Sequence, residues 1–423
     1  MRKILTTAAA VALVGATSYA DLQNVEVGGS IRIRGNSFFG GSGTLLDGDK
    51  ANQFTEQRTA LTVKADFSDD VSAFIELDAF NIWGDSPRDF IANGTNFLNG
   101  GGFTGNGEVS LYQGYIELDQ AFGRNINTKI GRQEVQFGSE WLIGNNDTAG
   151  IYTGLSFDGI VSELFTANDA HSLSIINLKV LEGDIGTGAN DRDADLRGLY
   201  YTYSGREDMV IDAYALHVRI GLPGGGDNTD ILTLGARIAG DWNAVDYELE
   251  IAHQSGDTGA AAGVTDADGI AGNLEVGYTF DSNYAPRVFI GAAFFEGPDS
   301  SDSGFNRLWS DWEYSEFLSN ANLDNALILR LGGSLQATEK IELSGVVSMF
   351  EQDEESAAAP LRAGDTSEDE LGLEVGLYAT YAYSEDVAIE VGYAHFFTGD
   401  VYEGTGVNED DADYVYAEIS VSF

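Results

Sequence analysis

The sequence predicts an all-β fold: a transmembrane antiparallel β-barrel of about 18 strands, with short periplasmic turns and long extracellular loops. Three observations predict it. Apolar and polar residues alternate with a period of two along most of the chain. The connections between these stretches are by turns short and long. Past its first residues the chain has no apolar run long enough for a spanning helix, although 43% of its 423 residues are hydrophobic and 11% aromatic.

The chain opens MRKILTTAAAVALVGATSYA. Arg2 and Lys3 form a basic start, Ile4 to Gly15 an apolar run, and Ser18-Tyr19-Ala20 a small-residue cleavage site. That is the pattern of a secretory signal peptide, and the run is shorter than the ~18 apolar residues a membrane-spanning helix needs. Residues 1–20 are expected to be removed, leaving residues 21–423 as a single barrel domain in the bacterial outer membrane. The sequence has no cysteine, which excludes disulfides and thiolate metal sites.

Each strand is read from its alternation. Val25, Val27, Ile31 and Ile33 alternate with Glu26, Ser30, Arg32 and Arg34; Leu61 and Val63 alternate with Arg58, Ala60, Thr62 and Lys64. Leu232, Leu234, Ala236 and Ile238 share one face, as do Val288, Ile290, Ala292 and Phe294, and Leu327, Leu329 and Leu331. The last strand, YVYAEISVSF, puts Val415, Ala417, Ile419, Val421 and Phe423 on one face and Tyr416, Glu418, Ser420 and Ser422 on the other. Short turns fall near Ser68–Asp70, Ala121–Asn125, Ala167–Ala170, Ser204–Asp208, Asp241–Ala244, Asp281–Ala285, Ala337–Glu339 and Ser384–Asp386. Long Gly/Asp/Asn-rich loops lie between them, near 36–53, 84–107, 138–156, 182–195, 222–230, 255–269, 296–325, 351–370 and 399–413.

A barrel explains this layout. In lipid every backbone N–H and C=O must be paired within the protein, and a closed sheet pairs them without leaving an edge. A sandwich has no need for connections that alternate in length. Outer-membrane lipids and the barrel-assembly machinery are the partners such a chain requires. The aromatic last residue fits a C-terminal assembly signal, and the last strand must close against the first. Trp83, Tyr112, Trp242, Tyr247, Tyr278 and Tyr414 lie near strand ends, where amphipathic rings suit the membrane–water boundary.

The formal charge is −46, from 22 basic and 68 acidic residues. Such a chain avoids nucleic acid, which requires a basic surface. The acidic surplus sits mainly in the long loops: Asp191, Asp193 and Asp195; Glu351, Asp353, Glu354 and Glu355; Glu409, Asp410, Asp411 and Asp413. It reads either as a solvated surface or as a mouth that gathers divalent cations.

Charge on the lipid face costs about 2–4 kcal/mol near the midplane, so alternation sends strand charges inward. Arg32, Arg34, Arg58, Lys64, Lys129, Lys179, Arg219, Arg237, Arg287 and Arg330 are assigned to the lumen. So are Glu26, Glu76, Asp78, Glu117, Glu248, Glu250, Glu275, Glu342, Glu374, Glu390 and Glu418. A wall of both signs either orients polar solutes or forms salt-bridge ladders that stiffen it.

One region is more distinctive: LYQGYIEL (111–118), IGRQEVQFGSEWLIGNNDTAG (130–150) and SFDGI (156–160). Gly131-Arg132-Gln133-Glu134, Phe137-Gly138, Leu142-Ile143-Gly144 and Phe157-Asp158-Gly159 resemble the alginate-export family of outer-membrane porins. The resemblance implies a barrel with a basic lumen that passes an anionic uronate polymer, and it makes Arg132 a candidate pore-lining residue. The sequence departs from that pattern in having polar strand faces of mixed sign. Read from the residues alone, Arg132 and Glu134 share parity with Ile130, so one of them must break the alternation. Gly138 and Gly144 allow the loop to turn back into the lumen as a constriction, with Arg132, Glu134 and Asp158 in a polar cluster beside it.

Other signals are weak. Asp266, Asp268, Gly269 and Glu275 match four positions of an EF-hand loop, but Val264 stands at its first position and no helices flank it. The glycine run GGGFTGNG (100–107) lacks a strand-to-helix context, so it is no phosphate loop. No catalytic, metal or cofactor constellation stands out, and no enzyme is expected. The expected function is a channel for passive diffusion of small hydrophilic solutes. The alternatives are a channel for acidic saccharides and a structural or adhesive surface barrel plugged by loops 296–325 and 351–370.

Overall fold

The computed structural model describes residues 22–40, 52–83, 109–146, 154–166, 169–182, 193–221, 228–259, 266–299, 302–318, 323–355, 367–402 and 411–423. They form one closed 18-stranded sheet. In chain order the strands are β1 (Asn24–Gly40), β2 (Asn52–Ser68), β3 (Val71–Ile82), β4 (Ser110–Leu118), β5 (Ile126–Gln133) and β6 (Phe157–Phe165). Then come β7 (His171–Leu181), β8 (Ala194–Arg206), β9 (Met209–Ile220), β10 (Thr229–Trp242), β11 (Val245–Asp257) and β12 (Asp266–Thr279). The last six are β13 (Arg287–Phe295), β14 (Ala326–Thr338), β15 (Ile341–Glu351), β16 (Glu370–Ala382), β17 (Val387–Thr398) and β18 (Ala412–Ser422). Each strand pairs antiparallel with its neighbours in sequence, and the eight expected short turns fall at the strand junctions on one end.

β18 closes the barrel against β1, with Ser30 opposite Ser422 and Gly40 opposite Ala412. The terminal Phe423 belongs to this seam. Its N–H donates to the Gly29 carbonyl at 3.0 Å, and its carbonyl accepts from the Gly29 N–H at 2.9 Å. A Cβ on Gly29 would lie 2.5 Å from the Ala60 carbonyl oxygen and 2.9 Å from the Phe423 ring. Glycine at that position lets the seam close.

Alternation fixes which face is wet over most of the wall. Ile290, Leu331, Leu377 and Ile251 point outward and are strongly exposed, Ile290 to 63%. That face suits hydrocarbon. The opposite face is buried although the barrel is wide, because two connections fold inside it. The β5–β6 loop supplies Phe137, Trp141, Leu142 and Ile143, and the β13–β14 loop supplies Phe305, Trp309, Tyr314 and Phe317.

Several expectations are corrected here. Trp83, Trp242 and Tyr278 are exposed, as boundary aromatics should be, but Tyr112 and Tyr414 are buried. Tyr112 turns inward because β3 and β4 slip register between Glu76 and Leu77. Asp266, Asp268, Gly269 and Glu275 lie on one continuous strand, with Asp268 and Glu275 at opposite parity, so they cannot converge on one cation. The signal segment 1–20, the glycine run 100–107, and Asp191, Glu409 and Asp410 lie outside the described residues.

Candidate functional site: the lumen

The polar inner wall is organised as cross-strand ladders. On β18, β1 and β2, Arg32 meets Glu418 at 2.5 Å and Glu56 at 4.0 Å. Arg34 lies 3.8 Å from the same Glu418 and stacks over Tyr416 at 3.6 Å. On β2 to β4, Arg58 pairs with Asp78 at 3.2 Å and covers Tyr112 at 4.7 Å, and Glu76 accepts from Gln113 at 2.8 Å. Across β9 to β11, Arg237 bridges Asp212 at 2.9 Å and Glu248 at 3.1 Å, while Tyr214 donates to Glu250 at 2.7 Å. Across β11 to β14, Arg287 pairs with Asp246 and with Glu275 (2.8 Å), and Arg330 reaches Glu275 at 3.6 Å. These are same-face cross-strand neighbours, where opposite charges attract.

Nearer the short-turn end, Lys64 is 46% exposed on its side chain and Lys129 lies opposite Glu117 in register. Glu26 pairs with Lys64 in the β1–β2 register, and Glu342 lies opposite Thr380. These groups share inward parity with the ladders.

Two loops narrow the barrel. The β5–β6 loop turns at Gly138, where φ is +62°. A Cβ there would lie 2.8 Å from the Tyr200 hydroxyl and 3.2 Å from Arg237, which puts the turn against the inner wall of β8 and β10. Phe137 stacks on Tyr200 at 4.9 Å and Trp141 on Phe295 at 5.6 Å. The β13–β14 loop is pinned at Gln254 of β11, which donates to the Asn306 carbonyl and accepts its N–H, both at 2.7 Å. The two loops bond to each other: Gly144 N–H donates to Trp309 O at 2.9 Å and Trp309 N–H to Leu142 O at 3.0 Å. The Trp141 Nε1–H donates to Tyr314, whose hydroxyl donates to Asn273 at 3.1 Å. Further along, Ser315 donates to Glu374 of β16, the Glu316 N–H donates to the same carboxylate at 3.0 Å, and Phe317 packs on Phe396. The double-loop constriction thus spans from β8 to β17.

Ionisable groups on this loop are shifted by their removal from water. Glu313, half-buried and walled in by protein, has its carboxyl pushed up to about 8, with Arg307 opposing the shift. Burial likewise raises Glu316 and Asp324 and lowers Arg307. Arg307 spreads its guanidinium over Phe295 (4.6 Å) and Tyr314 (5.2 Å) and donates to the Trp312 carbonyl at 2.9 Å.

Of the charges assigned to the lumen, the register places Arg32, Arg34, Arg58, Lys64, Glu76, Asp78, Glu117, Lys129, Arg237, Glu248, Glu250, Arg287, Arg330 and Glu374 on the inward face. Arg132 and Arg219 are corrections, as is Lys179. Arg132 shares its row with Gly114 and Asp158 and its face with the exposed Ile130 and Ile160, so it points outward. Its guanidinium binds Asp158 at 2.8 and 2.7 Å on the outside of the barrel. Glu134 follows the end of β5 and goes inward, accepting from Tyr112 at 2.5 Å; the alternation breaks there. Lys179 lies opposite Asp158, and Arg219 opposite Asp195, on the outward face that also carries Leu199. The physical reason is that the inner wall of β6–β9 is apolar here, lined by Phe157, Ile176, Leu178, Leu196, Leu216 and Val218, to receive the folded-in loop. The polar face is therefore outside.

Sequence reasoning missed Glu56, Asp212 and Asp246. Glu56 has the parity of Arg58, two residues away, and could have been found by that rule. Glu313 and Glu316 could not, since their position depends on where a long loop goes.

The profile of the alginate-export family, described as "Alginate export", matches residues 24–415. No curated protein matches the chain. Among solved structures, OpdO of Pseudomonas aeruginosa superposes with a TM-score of 0.61 at 10% identity, over 96% of this chain and 98% of that one. OccAB4 of Acinetobacter baumannii gives 0.61 at 10%, over 96% and 100%. OccK11 (OpdR) of Pseudomonas aeruginosa gives 0.59 at 9%, over 94% and 96%. At these identities the likeness is one of fold.

Proposed function

The chain belongs to the alginate-export family of outer-membrane porins, and from that premise we propose a passive, weakly cation-preferring channel for small hydrophilic solutes. The inward charges are the pore lining of this proposal. One observation carries the selectivity: beside the carboxylates paired in the ladders, the inward face carries Glu26, Glu76, Glu117, Glu250, Glu342 and Glu374 against only Lys64 and Lys129 outside them among the described residues, so the wall is net acidic. A net acidic wall raises the local concentration of cations and disfavours polyanions. Solutes pass beside the two folded-in loops, past the partly open Lys64 and Lys129. No covalent chemistry is involved. Residues 1–20 serve export and are removed; the mass of the mature chain should begin at Asp21.

Purified barrel in planar bilayers should give discrete conductance steps, and vesicles carrying it should swell in small neutral sugars. Correctly folded barrels that stay silent in both assays would overturn the proposal.

A second reading is favoured by the strip formed by Arg32, Arg34 and Arg58 on adjacent strands β1 and β2. If acidic saccharides are the cargo, uronate oligomers should block the current and Arg58→Gln should weaken the block. Equal block by neutral oligosaccharides would remove this reading.

A further inference from the structure

We infer that the periplasmic foot of the β1–β18 seam is a docking edge for an extended, basic segment of a periplasmic protein, which adds to β1 as one more strand. The inference rests on how the barrel closes and not on what the barrel conducts.

At its foot the seam stops short. The β1–β18 register runs down to Ser30 and Ser422, and the last pair is Gly29 with the terminal Phe423. β1 continues past it through Gly28 to Asn24, and this stretch pairs with Thr62–Asp66 of β2. No residue of β18 is left to meet its other side. In an antiparallel ladder a residue turns its N–H and C=O to the same neighbour, and the next residue turns both the other way. Gly29 turns both toward Phe423. Val27 and Val25, two and four residues before it, therefore turn theirs the same way, where no described strand receives them. Gly28 and Glu26 turn theirs to β2. Two N–H and two C=O groups are thus presented in a row, as on the edge of an open sheet.

The side chains select what fits this edge. Val25 and Val27, on the outer face, are 46% and 64% exposed. At ~3.3 Å per residue and a tilt near ~40°, Val25 lies about 10 Å further toward the periplasm than Gly29. Hydrocarbon leaves backbone N–H and C=O groups unpaired, so lipid is a poor cover here. On the inner face stands Glu26, which accepts from the Asn24 side chain at 2.9 Å. The surrounding charge is acidic. Asp66 lies opposite Asn24, the turn with Glu385 and Asp386 accepts the Ser422 N–H at 3.0 Å, and Phe423 ends in the chain's carboxylate. Lys64, opposite Glu26, lies 4.0 Å from Asp66. Such a field attracts a basic segment and repels anionic lipid headgroups and acidic peptides.

Adding a strand to a sheet edge draws affinity from main-chain hydrogen bonds and specificity from alternate side chains. The edge continues the seam, so the added strand runs antiparallel to β1, as β18 does. Residues directly opposite share a face, which places apolar side chains beside Val25 and Val27 and a lysine or arginine beside Glu26. The backbone groups that meet β1 then belong to the apolar residues of the segment.

The test uses the purified barrel, one chain per phosphatidylcholine nanodisc, and a fluorescent peptide of alternating valine and lysine. Saturable binding is expected. Methylating the valine amides should weaken it roughly tenfold or more, and methylating the lysine amides should leave it unchanged. Val27→Pro removes a donor from the open edge and none from the β2 ladder, so the barrel should fold and lose binding to a similar extent. Glu26→Lys should shift the preference to a peptide of alternating valine and glutamate. The methylated peptides need no change in the barrel, so they decide the matter even where a variant does not fold. No saturable binding, equal loss from either set of methylated amides, equal binding to empty nanodiscs, or particles of two chains joined at β1 would overturn the inference.

Discussion

The wall β6–β9 and the wall β10–β16 are built from strands of the same kind, yet they use opposite codes in their upper halves. On β14 the inward row is Ile328, Arg330 and Gly332 and the outward row Leu327, Leu329 and Leu331. On β9 the inward row is Leu216, Val218 and Ile220, and the outward row His217 and Arg219. The difference lies in what each face meets. Both walls meet a folded-in loop, but differently: the β6–β9 face offers it only apolar side chains, whereas β14 pairs the fully buried Ile328 with Arg330, whose guanidinium lies over Tyr314 at 5.7 Å and reaches Glu275 at 3.6 Å. What a strand's inner face shows therefore reports what fills the lumen.

The largest effect should come from the docked side. Leu196 is fully buried in the core cluster that the folded-in loops join, so Leu196→Ala should cost about 2–5 kcal/mol of barrel stability, as core truncations do. Urea titration in lipid vesicles would measure it. A cost like that of an exposed position would break the comparison by showing that nothing packs on the inner face of β8 there.

The outward rows give the next contrast. Leu331→Arg, among the outward leucines of β14, should cost ~2–4 kcal/mol in the same titration, and Asn177→Arg, in the outward row beside Arg197 of β8, only ~0–1 kcal/mol. Equal penalties would mean that Asn177 meets hydrocarbon as Leu331 does.

A pH effect should follow from the loop in the lumen. Glu313 prefers its neutral form when docked, so its contribution to docking is fully present below about 4.5 and is lost as pH rises through about 8. The groups acting on it are Arg307, Asp311 and Glu316 of the same loop and Glu374 of β16. Single-channel current should grow or fluctuate more at pH 9 than at pH 5, and Glu313→Gln should flatten the dependence. A profile unchanged by that substitution would remove Glu313 from the gate.

These contrasts also show what the residues alone could reveal. The strand number, the turns and the closing role of Phe423 follow from period-two alternation, because lipid outside and closure at the seam are the same constraint for every strand. Gly138 signalled an inward-turning loop, since only a residue tolerant of positive φ fits against Tyr200 and Arg237. Arg132, Lys179 and Arg219 were misassigned for one reason: the rule that strand charges point inward presumes that the outward surface is lipid to its full height and the lumen wet to its full height. Both presumptions fail together over β5–β9. Tyr112 was hidden by a register slip, which no single-strand pattern shows.

The smallest expected effect concerns a single ladder. Arg330→Gln leaves Glu275 with Arg287 alone and should shift selectivity slightly further toward cations. An unchanged selectivity would show that Arg330 does not face the conducting path.

The account as a whole is tested most directly by the zero-current potential of the purified channel across a tenfold potassium chloride gradient. It predicts a modest potential of the sign set by potassium permeation, shrinking at high salt as charges are screened beyond ~10 Å at 0.1 M. A potential of the opposite sign, set by chloride, would contradict the net acidic lumen on which the proposal stands.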